Sequence, residues 1–174
     1  MSNKSIILGR DVKSIFFQEM SQINNLSVNK LHDEILFYSS GVIETYMFSE
    51  KYFDMTEGKV REKTLGQRLL ESNLLYGNAK ERAFQDIGET SLVLCGVFRN
   101  SVKKKLVDLS FYKNIGQNAF TGLNNFRPYE FNTHDFYQKI SENFHHLSNL
   151  IYAVSNKLMS ENEEELLGIK IKTS

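Results

Sequence analysis

The strongest constraint on this chain is a stripe of seven apolar residues, Phe136, Ile140, Phe144, Leu147, Ile151, Val154 and Leu158, spaced by four, four, three, four, three and four. An α-helix puts such positions on one face, and the spacing approaches the seam of a coiled coil. With Thr133 as N-cap, Asp135 in the first turn and Lys157 in the last, the pattern predicts one long helix over 133–159. A stripe of that length must be covered, so the rest of the chain has to supply packing partners.

Further helical stripes precede it. Asp11 is a good N-cap for a helix carrying Val12, Ile15, Phe16, Met20 and Ile23, which Asn24 and Asn25 should end. Ser27 is expected to cap a second helix with Leu31, Ile35, Tyr38, Val42 and Tyr46 on one face. Residues 49–63 lack a clean period and read as a long connection anchored by Tyr52, Phe53 and Met55. A third helix from Thr64 carries Leu65, Leu69, Leu74 and Leu75 and is expected to stop at Gly77. Asn78 with Glu81 resembles a capping box for a fourth, lined by Phe84, Ile87, Ser91, Leu94, Cys95 and Phe98. There Gly88, Ser91 and Gly96 invite close approach by a neighbour. The run Leu92 to Phe98 also fits a buried strand, which periodicity alone does not exclude; it is read here as helix.

Residues 99–107 break the pattern, and Asp108 then caps a fifth helix with Tyr112, Ile115, Gly116, Ala119, Phe120 and Leu123 on one face. Gly122 and Asn124-Asn125 should close it. After the long helix, Ser160 with Glu163 forms a second capping-box pattern and Gly168 a stop, so residues 160–174 are expected to form a short terminal helix or a frayed tail. The reading is all-α: a single domain over residues 1–174, a bundle of about six helices with one long C-terminal member.

The single proline, Pro128, suits long helices. The lone Cys95 excludes an internal disulfide and suits a reducing, cytoplasmic setting. No apolar run reaches the roughly 18 residues needed to span a bilayer, and the start is too short for a signal-peptide core. Net charge is zero, but residues 59–128 hold 12 Lys or Arg against 6 Asp or Glu, while both flanks are acidic. Edge pairing between oppositely charged helices accounts for that distribution most simply.

Five groupings bear on chemistry. Glu142 and His145, at i and i+3, place a carboxylate and an imidazole on one helix face as in helical di-iron sites, with Glu34 and Glu44 as conceivable helpers; no second such pair exists. His145 and His146 point about 100° apart and do not share a small site. His32 and His134 each fall in an expected first helical turn, where a positive charge is disfavoured. Arg99, Lys103, Lys104 and Lys105, near Lys113 and several aromatics, are the one candidate anion-binding or nucleic-acid patch, and a solvated loop explains them equally well. Cys95 sits among apolar neighbours, which argues against a catalytic thiol. No motif implies a cofactor or a phosphate-binding glycine loop.

Gly88-Glu89-Thr90-Ser91-Leu92, Gly96-Val97-Phe98, Tyr112, Ile115-Gly116 and Ala119-Phe120 together resemble a family of uncharacterised bacterial all-helical proteins, over about residues 88–123. The resemblance implies a small-residue helix packed on a Tyr-x-x-apolar-Gly-x-x-Ala-aromatic helix. It implies no activity. Phe111-Tyr112 and Phe120 depart from it, standing where the family has a tyrosine pair and an Ala-Tyr step. The functional expectation is a non-catalytic helical protein that binds itself or another protein. Its rivals are a metal or small-ligand sensor and an anion or nucleic-acid binder.

Overall fold

A computed structural model of the chain describes residues 11–48, 62–103 and 108–172. Among them, helix α1 (Val12–Leu26) pairs with α2 (Asp33–Met47), and α3 (Glu62–Ser72) leads into α4 (Gly77–Cys95). A single short turn, α5 (Arg99–Lys103), precedes α6 (Leu109–Phe126). A two-stranded antiparallel hairpin, β1 (Tyr129–Glu130) and β2 (Thr133–His134), then leads to α7 (Phe136–Glu142) and α8 (Phe144–Lys172). The fold is all-α apart from that hairpin. Of the connection expected at 49–63, Glu62 and Lys63 belong to α3, and the rest, like Lys104 and Lys105, lies outside the described residues.

The centre of the bundle is the α4–α6 pair, whose close approach follows from small residues. A β-carbon on Gly88 would touch the Phe120 ring at 3.2 Å, and one on Gly122 would stand 2.7 Å from the Phe84 ring; Gly96 gives α8 the same access, a β-carbon there standing 2.5 Å from Ile151. The expected face of α6 is buried throughout, from Tyr112 to Leu123. Leu92 to Cys95 is helix and wholly buried, so the strand alternative for this run is not realised. Phe136, Ile140, Phe144, Leu147, Ile151 and Val154 are each fully buried, contributing about 1.5–3 kcal/mol apiece by removal from water.

The long C-terminal helix differs from the expectation at both ends and in the middle. Thr133 is a strand residue, not a cap. Pro128 and two left-handed residues, Phe131 (φ 54°) and Asp135 (φ 53°), fold residues 128–135 into the hairpin, closed by the Asp135 amide donating to Pro128 O at 2.7 Å. Phe131 is kept in that unfavourable conformation by packing, its ring lying 5.4 Å from Phe136 and 6.1 Å from Phe37. The first turn of α7 is capped across the bundle by Asn124, whose side chain accepts from the Gln138 amide and donates to Asp135. At Asn143 the helix breaks and resumes. The Asn143 side chain donates to Lys139 O, and Ser141 O accepts from Gln117, so two carbonyls of the last turn are engaged by side chains. Beyond Lys157 the backbone stays helical to Lys172: Ser160 donates back to Lys157 O instead of opening a new helix, and Gly168 does not stop it.

Three earlier boundaries move as well. Ser27 ends α1, its hydroxyl donating to Ile23 O, and α2 starts five residues later than a Ser27 cap would have it. The turn between them is held by the buried side chain of Asn24, which donates to Leu31 O and accepts from Leu31 N, both at 2.9 Å. α3 stops at Ser72, not at Gly77, because the Ser72 hydroxyl donates to Leu69 O and the next amides form tight i to i+3 turns. Gly77, with φ +53°, opens α4 in place of an Asn78 cap, and Glu81 pairs with Arg127. The α6 helix runs through Gly122 and Asn124-Asn125 to Phe126. Among the described residues, no helix is long and apolar enough to cross a membrane.

Candidate functional site

One departure from a uniformly polar surface is at the corner between α3 and α4. Leu70 is 71% exposed, Leu74 77% and Tyr76 85%, with Leu75 beside them partly open. The corner is well built. The Asn73, Leu74 and Leu75 amides donate to the carbonyls three residues earlier, and Ser72 is fully buried beneath them. Four large apolar side chains within seven residues therefore stand on a fixed turn, outside the core, where isolated exposed leucines would be unremarkable.

A second feature gathers the expected basic residues around α8. His145, Asn149 and Tyr152 follow one another at i, i+4 and i+7 and so share a face of that helix. Arg99, from α5, reaches this face and is only 8% exposed. Its Nε donates to Cys95 O at 2.8 Å, and Nη2 donates to Asn149 Oδ1 at 2.8 Å and Ser148 Oγ at 3.5 Å. The guanidinium carbon lies 4.4 Å above the Tyr152 ring, with Lys103 Nζ 5.8 Å from the same ring. Lys113, from α6, brings Nζ to 2.5 Å from His145 Nδ1, and the other ring nitrogen faces Asn149 Nδ2 at 3.2 Å. Lys113 first, then burial and Arg99, hold the His145 imidazole below its usual pKa. Burial and the Arg99 charge likewise lower that of Lys113.

The expected metal pair is separated by its hydrogen bonds. Glu142, on the far side of the Asn143 break, accepts from Gln138, while His145 is engaged with Lys113 and Asn149. Glu34 accepts from the Thr133 hydroxyl, and Glu44 lies against Asp11 and the Lys13 amide. Among the described residues no three His, Cys, Asp or Glu side chains converge as a metal site would require. His146 is half-buried, its Nε2 without a hydrogen-bond partner in the described structure. His32 stands at the α2 N-cap position without a side-chain cap bond, and His134 is in β2, its ring against Tyr129. Burial pushes the Cys95 thiol up to about 12, so it is not a nucleophile at neutral pH.

Sequence spacing did not disclose a buried polar chain on the opposite side. Tyr38 donates to Glu89 Oε1 at 2.7 Å and Gln85 donates to the same oxygen at 3.0 Å. Burial raises the Glu89 pKa against the pull of those two donors. Tyr46 meets Thr90 at 2.8 Å, and Tyr137 donates to Glu130 at 2.9 Å. These bonds tie α2, α4, the hairpin and α7 together. Each partner is spoken for, so the chain reads as structural.

No protein-family model, curated protein or solved structure matches this chain.

Proposed function

We propose that the protein acts without catalysis, by binding a protein partner through the α3–α4 corner. The observation that carries this reading is the exposure of Leu70, Leu74 and Tyr76 on a turn held by the Asn73, Leu74 and Leu75 amide hydrogen bonds. Apolar and aromatic side chains held out on a rigid support lose little conformational entropy when covered, and tyrosine and leucine together supply both area and a hydroxyl for the rim. A corner of this size suits the centre of a small interface and not a whole one, so partner residues must also meet its flanks. The partner is either a second copy of the chain or another protein. A photo-reactive residue at position 74, in cells that make the protein, distinguishes them: a self-adduct or one discrete heterologous adduct supports the reading, and labelling no different from that at exposed Gln18 overturns it.

A further inference from the structure

From the α5–α6–α8 cluster we infer a binding site for a small phosphorylated compound, held by Arg99, Lys113 and His145, separate from the protein-binding corner.

The cluster has more hydrogen-bond donors than acceptors. Arg99 donates to Asn149 Oδ1, which fixes the Asn149 amide so that its Nδ2 faces His145 Nε2. That contact requires a lone pair on Nε2 and therefore the proton of a neutral imidazole on Nδ1, where Lys113 Nζ stands at 2.5 Å. With the tautomer reversed, Lys113 is satisfied and the Asn149 contact becomes donor against donor. With His145 protonated, both contacts fail. In the neutral Nδ1–H tautomer, one oxygen-rich acceptor shared by Lys113 Nζ and His145 Nδ1–H satisfies both donors and leaves the Asn149 contact intact.

The charges point the same way. Among the described residues Arg99, nearly buried, donates to neutral oxygens only, and neither it nor Lys113 has a carboxylate within ion-pair distance. Buried cations are normally matched by an acid. Asp108, whose field Lys113 feels, accepts from the Ser110 hydroxyl at 2.7 Å. Glu142 turns to Gln138. Lys103, exposed above Tyr152, closes the ring of positive charge on the solvent side. A forked guanidinium, an ammonium and an imidazole converging from three helices suit the three terminal oxygens of a phosphomonoester better than the two of a carboxylate.

The test uses the full chain with inorganic phosphate and with glycerol phosphate as probes, followed by calorimetry and by the His145 ring signals in NMR at fixed ionic strength. The expected result is saturable one-to-one binding of both probes that shifts His145 and is weakened at least tenfold in Lys113→Gln. Because Arg99→Gln could unfold the chain, His145→Gln serves as the second variant, with the same loss expected. Titration with acetate should be at least tenfold weaker. No saturation, equal affinity for acetate, or binding untouched by both substitutions overturns the assignment. Binding only to anionic lipid vesicles, with neither soluble probe bound, also overturns it.

Discussion

Gly116 of α6 lies directly against the ring of Phe144 of α8: a β-carbon at position 116 would stand 2.5 Å from Phe144 Cε2 and Cζ, and 2.9 Å from Ser91 Cβ. Phe144 is fully buried at the point where the C-terminal helix resumes after Asn143, and its ring is tilted against Phe120 at 6.2 Å. This contact fixes the depth at which α8 settles on the α4–α6 pair.

Gly116→Ala therefore measures a clash against a known gain. Helix propensity alone favours alanine by about 1 kcal/mol, while overpacking costs about 1–3 kcal/mol. A 2.5 Å approach to a fully buried ring puts the cost at the upper end of that range, so the expected net result is a loss of about 2 kcal/mol, seen as a melting temperature lower by roughly 4–8 °C. Phe144→Leu in the alanine background should return about 1 kcal/mol in a double-mutant cycle. Independent, additive effects would show that the two residues do not touch.

Asn24→Ala removes both hydrogen bonds to the Leu31 backbone in a buried turn. An orphaned buried amide and carbonyl cost about 1–3 kcal/mol each, so a loss of about 3 kcal/mol in chemical denaturation is expected. A loss under about 1 kcal/mol would mean that water reaches Leu31 freely.

Glu89 supplies the pH dependence. Its folded pKa is raised by burial, so folding favours the protonated form; the associated stability is fully present below the unfolded carboxylate value and is lost as pH rises through the folded one. Glu89→Gln, which keeps an acceptor for Tyr38, should raise the melting temperature at pH 8 by roughly 2–4 °C, corresponding to about 1 kcal/mol. The advantage should vanish near pH 4. A difference that is constant with pH would place the carboxylate in solvent.

Cys95 is fully buried in the α4 core, with its thiol pKa pushed up to about 12 by desolvation. Native protein at pH 7.5 should resist a thiol-disulfide reagent and react fully once unfolded in guanidinium. Stoichiometric labelling within seconds of mixing native protein would contradict the burial.

Much of this architecture was legible in the apolar and small residues. The α6 face from Tyr112 to Leu123, the α4 face from Phe84 to Cys95 and the seam from Phe136 to Val154 are buried as their spacing predicts, because a 3.6-residue period leaves little choice of face. The helix ends were less legible. Ser27, Asn78, Thr133 and Ser160 all have capping side chains, yet none opens a helix: the first three compete with bonds made between segments, Asn24 on Leu31, Glu81 on Arg127 and Asn124 on the α7 start, and Ser160 bonds back within its own helix. The basic cluster was half visible. Arg99 and Lys103 are neighbours in sequence, but Lys113 meets His145 only because α6 and α8 cross there, and no spacing rule links residues 32 positions apart. The corner at Leu74 was hidden for the opposite reason: its leucines continue the α3 stripe in sequence, while the chain leaves the helix at Ser72.

The central claim, a binding corner that serves recognition and not folding, is tested most directly by the yield of the position-74 photo-adduct in wild-type and Leu70→Ser, Tyr76→Ser backgrounds, with melting temperatures taken in parallel. The account predicts that the double substitution reduces the adduct at least tenfold and shifts the melting temperature by less than roughly 2 °C, as largely exposed side chains should. An undiminished adduct, or a melting temperature lowered by more than that, would contradict it.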